Sequence, residues 1–145
     1  MMLLRSPAFA NEGRIPARYT CDGEDVSPPL EILGIPEGTE TLVLIMDDPD
    51  APAGTWDHWV AYDIAPIEEI PEGVEDLGTP GLNSWGRLGY GGPCPPSGTH
   101  RYVFHVFAID GALGLPPGAD KGTVLGAIAD RILDEAFLVG LYSRP

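Results

Sequence analysis

Nineteen glycines and sixteen prolines are scattered through 145 residues, and they cut the apolar sequence into short runs. Proline lacks a backbone N–H and clashes with the preceding helical turn, while glycine costs a helix about 1 kcal/mol relative to alanine. Such punctuation between apolar runs is the mark of a β-rich fold with long loops. The run Thr41 to Met46 (TLVLIM) reads as a buried central strand ending in the charged turn Asp47-Asp48-Pro49-Asp50. Trp59 to Ile64 (WVAYDI) reads as a second strand, and Arg101 to Ile109 (RYVFHVFAI), rich in aromatic and β-branched residues, as the strongest. The charged stretch Glu68 to Asp76 between them reads as a solvated loop.

The tail reads differently. From Thr123 to Val139, residues Val124, Leu125, Ile128, Ile132, Leu133 and Phe137 recur at i, i+3 and i+4 spacings. This pattern predicts one amphipathic helix with Thr123 as N-cap and Gly140 as stop. The expected fold is mainly antiparallel β with a C-terminal helix, in a single domain spanning residues 1–145, since that length buries a core without staples.

Charge narrows the function classes. The 22 acidic and 8 basic side chains give a formal net charge of -14, and all of the excess lies before Leu77, where 17 acids face 3 arginines. With no basic stripe, nucleic-acid binding through phosphate neutralisation is excluded, and adsorption to anionic lipid is disfavoured. The 33 residues from Leu77 to Ile109 hold no carboxylate but do hold Arg87, His100, Arg101 and His105, a window that tolerates an anion. The opening MMLLRSPAFA is too briefly apolar for the roughly 7–15 residues of a signal-peptide core, and no run reaches the roughly 18 residues of a membrane span. These features predict a cytoplasmic protein without stable membrane insertion. Cys21 and Cys94 are too few for a disulfide framework and lack zinc spacing, which leaves a single Cys21–Cys94 bridge open.

Chemistry needs titratable groups brought together, and the chain has only three histidines, His58, His100 and His105. On a strand of period two, His100 and Tyr102 share one face and His105 the other, where it reads as a satisfied core histidine. His100 follows the turn-rich GYGGPCPPSGT, at a strand mouth where a loop can close over a ligand. At least one of Asp47, Asp48 and Asp50 lies at the end of the Thr41–Met46 strand, although a Pro-rich acidic turn can also use its carboxylates on its own backbone. Trp56 and His58, in extended chain, place an aromatic wall beside an imidazole.

The segments DPDAP (48–52), WDH (56–58), GGPCPP (91–96) and GTHRY (98–102) occur in the order of the phosphatidylethanolamine-binding proteins. Together with SPAF (6–9), IPARYTCDG (15–23) and SPPL (27–30), they make nearly the whole chain resemble that family, in particular its bacterial and archaeal Raf-kinase-inhibitor-like branch. The resemblance implies a Greek-key β-sandwich with a C-terminal helix. It also implies an anion pocket at Asp48, Trp56, His58, Cys94, Pro96, His100 and Tyr102, a cis Ala51–Pro52 peptide, and no cofactor or resident metal. Mammalian members have a longer C-terminal helix and extra loop residues, and carry Gly where this chain has Cys94.

On this reading the protein is a non-enzymatic binder of a small anion or phosphorylated headgroup. Donors come from His58, His100, the Tyr102 hydroxyl and loop amides near Cys94. Prolines 93, 95 and 96 shape the loop but donate nothing. Asp48 is expected to accept a hydrogen bond from an imidazole and favour its charged form, or to share a proton with the ligand, so binding tightens as pH falls. Three alternatives stand beside it. They are a hydrolase with Cys94 as nucleophile, His100 as base and Asp48 as orienter; a metal site of Asp48, His58 and His100; and a protease- or kinase-inhibiting interaction protein. A protein partner and a homodimer stay open.

Overall fold

The computed structural model describes residues 1–145. Along the chain run β1 (Leu3–Arg5), β2 (Gly13–Arg14), a 3-10 turn (Ala17–Tyr19), β3 (Leu30–Leu33), β4 (Thr41–Asp48), β5 (Trp56–Ile64), β6 (Glu69–Ile70), β7 (Thr79–Pro80), β8 (His100–Ile109), α1 (Lys121–Ile128) and β9 (Ile132–Tyr142). One sheet has the order β1-β3-β6 and the other β2-β9-β8-β4-β5-β7. All pairings are antiparallel except β2 with β9, a two-residue parallel contact. After the β4–β5 pair the chain makes a long excursion and returns as β8 on the other side of β4, which is consistent with the expected Greek key.

The unbroken apolar run of β4 follows from its position. Leu42, Leu44 and Met46 face the core shared with the small sheet, whereas Val43 and Ile45 face α1 and the loop before it. A strand covered on both sides needs apolar residues at every position. The parity continues into the acidic end, sending Asp48 to the sandwich side and Asp47 to the helix side. There Asp47 lies 3.3 Å from the Nζ of Lys121 and 3.5 Å from His105, and Lys121 is 2.7 Å from Asp57. His105 is therefore a half-buried partner of Asp47 on the outer face. Burial raises the pKa of Asp47, but His105 and Lys121 outweigh that and hold it below the ordinary carboxylate value.

The tail departs from its helical reading. Only Lys121–Ile128 is helical, capped by the Asp120 side chain accepting from the Thr123 amide rather than by Thr123 itself. Ile132 to Tyr142 is a strand that pairs along the full length of β8. Ile132, Leu133 and Phe137, placed by their spacing on a buried helical stripe, are 38%, 45% and 67% exposed. Leu138 and Tyr142 are buried instead, with period two. The apolar positions fit both periods over this segment, and the open edge of β8, available only in the folded sheet, selects the strand. The Glu68–Asp76 stretch is not all loop, because β6 within it pairs with β3 and buries Ile70. No helix is long and apolar enough to cross a membrane.

Candidate functional site

At the mouth of the sandwich, where β4 ends and β5 and β8 begin, a cavity of about 310 Å³ opens. Its walls include all seven residues singled out above: Asp48, Trp56, His58, Cys94, Pro96, His100 and Tyr102. Asp48 comes from the end of β4. His100 and Tyr102 come from alternate positions of β8, as period two requires.

His58 arrives by a different route. Met46 pairs with Trp59, but the next residue, Asp47, pairs with Asp57, so β5 carries one extra residue, His58, in a β-bulge. Strict alternation from the core residue Trp59 would send His58 to the helix side. The bulge keeps both on the sandwich side and resets the phase, so that Trp56 faces the cavity and Asp57 faces Lys121.

The polar groups of the cavity are largely spoken for. His100 Nδ1 donates to Asp48 Oδ2 at 2.7 Å, and the other Asp48 oxygen accepts from the Asp50 amide at 2.8 Å. His58 Nδ1 donates to the Gly91 carbonyl at 2.7 Å. Because a carbonyl and a carboxylate only accept, both imidazoles carry their proton on Nδ1. Burial pushes the pKa of His58 below its ordinary 6.5, against the opposing pull of the Gly91 carbonyl and the Asp48 charge. The Tyr102 hydroxyl and the Trp56 indole N–H are buried without a hydrogen-bond partner in the protein. Burial and the Asp48 charge push the pKa of Tyr102 far up, so the phenol stays protonated.

Asp50 is not a wall residue. Arg101 donates to both of its oxygens, at 2.9 and 3.0 Å, and holds its pKa down to about 2. This fork ties the DPDAP turn to the start of β8, and Ala51–Pro52 within it is trans, not cis as expected. Trp85 is a wall residue that sequence reading missed. Its ring packs edge-on against both Trp56 and His58, with the Arg87 guanidinium over it at 5.5 Å. It lies in a turn without strand periodicity, so only its being a large apolar residue in a polar loop hinted at it.

Cys94 is joined to Cys21, with 5.5 Å between their Cα atoms, and no free cysteine remains. The hydrolase reading thereby loses its nucleophile in this oxidised chain. Nor do Asp48, His58 and His100 converge into a cluster with metal-ligand geometry. The GGPCPP loop is seated by close contact as well as by the bridge. A Cβ on Gly91 would overlap the Trp85 ring, and one on Gly92 would overlap the Tyr19 carbonyl oxygen and the Asp25 carboxylate that accepts the Gly92 amide. Gly92→Ala is thus expected to lower the unfolding free energy by about 1–3 kcal/mol, as overpacking against backbone does. Urea denaturation checks this, and an unchanged midpoint would show that the loop is not clamped there.

The family model for phosphatidylethanolamine-binding protein matches residues 5–143. The chain belongs to the phosphatidylethanolamine-binding protein family. A UPF0098 protein of Methanothermobacter thermautotrophicus is 51% identical over 99% of both chains, and one of Aquifex aeolicus is 49% identical over 99% of this chain and 90% of its own. The solved structure of CT736 from Chlamydia trachomatis, described as a homolog of the same family, matches with a TM-score of 0.97 at 38% identity, covering 99% of this chain and 98% of that one. Escherichia coli YBCL has the same fold, with a TM-score of 0.90 at 24% identity over 99% of both chains. The family and the mainly β fold of this family member thus agree with the motif order read along its sequence.

Proposed function

We propose that this member of the phosphatidylethanolamine-binding protein family is a non-enzymatic binder of one small oxyanion, free or as the phosphoryl part of a headgroup. The buried Tyr102 hydroxyl, unpartnered in a wall it shares with two imidazoles and the Trp56 N–H, carries this reading. A buried donor without an acceptor costs about 1–3 kcal/mol, which an acceptor-rich ligand recovers. The wall also suits one small ligand rather than a polyanion, because the surrounding surface carries the -14 charge and only the local donors favour an anion.

Titration calorimetry with inorganic phosphate between about pH 5 and 8 tests the proposal. Saturable binding is expected, tightening as pH falls. The sign follows from His58. Its pKa lies below 6.5, so the ring becomes a cationic donor only on the acid side of that value. Raising the ionic strength with an inert salt should tighten binding further by screening the net negative field. Absence of saturable binding at every pH in that range would reject the proposal.

A further inference from the structure

The hydrogen bonds already made inside the pocket restrict which oxyanion fits it, given the oxyanion reading above. His58 spends its Nδ1 proton on the Gly91 carbonyl, and its ring lines the cavity with Nε2 as the remaining nitrogen. In the neutral ring that atom is a lone pair. Asp48, only 4% exposed, is a second pure acceptor, its two oxygens taking the His100 Nδ1 proton and the Asp50 amide. A wholly deprotonated anion would press its own lone pairs against both. An anion that brings one O–H satisfies an acceptor with that proton and offers its remaining oxygens to the Tyr102 hydroxyl and the Trp56 N–H.

We propose that the pocket selects oxyanions that carry a proton, namely phosphate monoesters, phosphonates and inorganic phosphate, over sulfate esters and over phosphodiesters. The second ionisation of a phosphate monoester lies near pH 6, so its monoanion keeps a P–O–H at about that pH. A sulfate ester and a phosphodiester have given up their only acidic proton. An intact phospholipid headgroup is a phosphodiester and is therefore disfavoured, whereas the phosphomonoester released from it is favoured.

The charged groups around His58 are acceptors or are already engaged elsewhere. Asp48 on β4 and Asp25 beyond Gly92 are carboxylates. His100 and Tyr102 on β8 face the same cavity, with the His100 proton committed to Asp48. Arg101 is engaged with Asp50, Arg87 lies over Trp85, and Lys121 with Asp57 is on the opposite face of the sheet. Burial, which holds the His58 pKa below 6.5, favours the neutral ring at neutral pH.

Calorimetry at about pH 6 with methyl phosphate, dimethyl phosphate and methyl sulfate decides the matter. Methyl phosphate is expected to bind at least about 10-fold more tightly than the other two, because a site that pairs a ligand O–H rejects analogues without it. Its affinity should fall as pH rises from about 6 to 8 and the P–O–H is lost. His58→Gln, which presents an amide N–H near the Nε2 position, should let methyl sulfate bind as well as methyl phosphate. If that variant does not fold, the three affinities of the unaltered protein decide alone. Dimethyl phosphate or methyl sulfate binding within about 3-fold of methyl phosphate would overturn the selectivity and leave the oxyanion reading standing. Failure of all three, and of inorganic phosphate, would overturn both. Inorganic phosphate and O-phosphoethanolamine each carry a P–O–H and should both bind, the tighter of them identifying the source of the group.

Discussion

The double variant Cys21→Ala/Cys94→Ala is expected to unfold with about 4 kcal/mol less free energy than the oxidised chain. The bridge closes a loop across a sequence separation of 73 residues, and a cross-link of that span removes chain entropy from the unfolded ensemble by about that amount at 25 °C. For a domain of this size the loss corresponds to roughly 10 °C in melting temperature. The local effect adds to the global one. Cys21 follows the 3-10 turn, and its amide donates to the Pro93 carbonyl at 3.1 Å, so the bridge and this bond hold two loops side by side. One of those loops forms the cavity wall at Cys94, Pro95 and Pro96. Chemical denaturation of the oxidised, reduced and doubly substituted forms tests the expectation. Equal stability within about 1 kcal/mol would show that the reduced denatured chain already keeps these loops together.

His100→Ala is expected to weaken phosphate binding about 100-fold or more, while His105→Ala, five positions along the same strand, leaves it unchanged. His100 is 7% exposed and donates to Asp48, so its removal deletes one cavity group and strips a second, buried carboxylate of its partner. Leaving a buried hydrogen-bonding group without its partner costs about 1–3 kcal/mol, and more when that group is a carboxylate such as Asp48. His105 points to the other face, where it meets Asp47 beside Lys121, and its loss touches stability alone. Both variants are measured with inorganic phosphate at about pH 6, after circular dichroism has confirmed the fold. Equal binding by wild type and His100→Ala would remove the pocket from any role in recognition. The His105 variant separates that outcome from a general loosening of β8.

Much of this arrangement could be read along the chain. The three long strands were placed within three residues at each end, because β4, β5 and β8 are buried enough to demand continuous or alternating apolar sequence. The face-sharing of His100 with Tyr102 followed from period two. The gathering of Asp48, His58, Cys94 and His100 from four separated segments followed from the resemblance of their motifs to one family, which no local rule could have supplied.

What the amino-acid sequence determined by itself was the β-rich class, the main strands, the acidic first half and the short list of residues that line the cavity. Tertiary structure decided the rest. Whether Ile132 to Tyr142 became helix or strand depended on β8 offering an edge, since the segment's apolar spacing satisfies both periods. Which way His58 points depended on one extra residue in β5, and a bulge is a mismatch between two strands, invisible in either alone. Whether Cys94 was a thiol or half of a bridge depended on two loops meeting within 5.5 Å across the sandwich mouth. In each case the deciding interaction joins residues far apart in the chain, and its free energy exists only once the fold has brought them together.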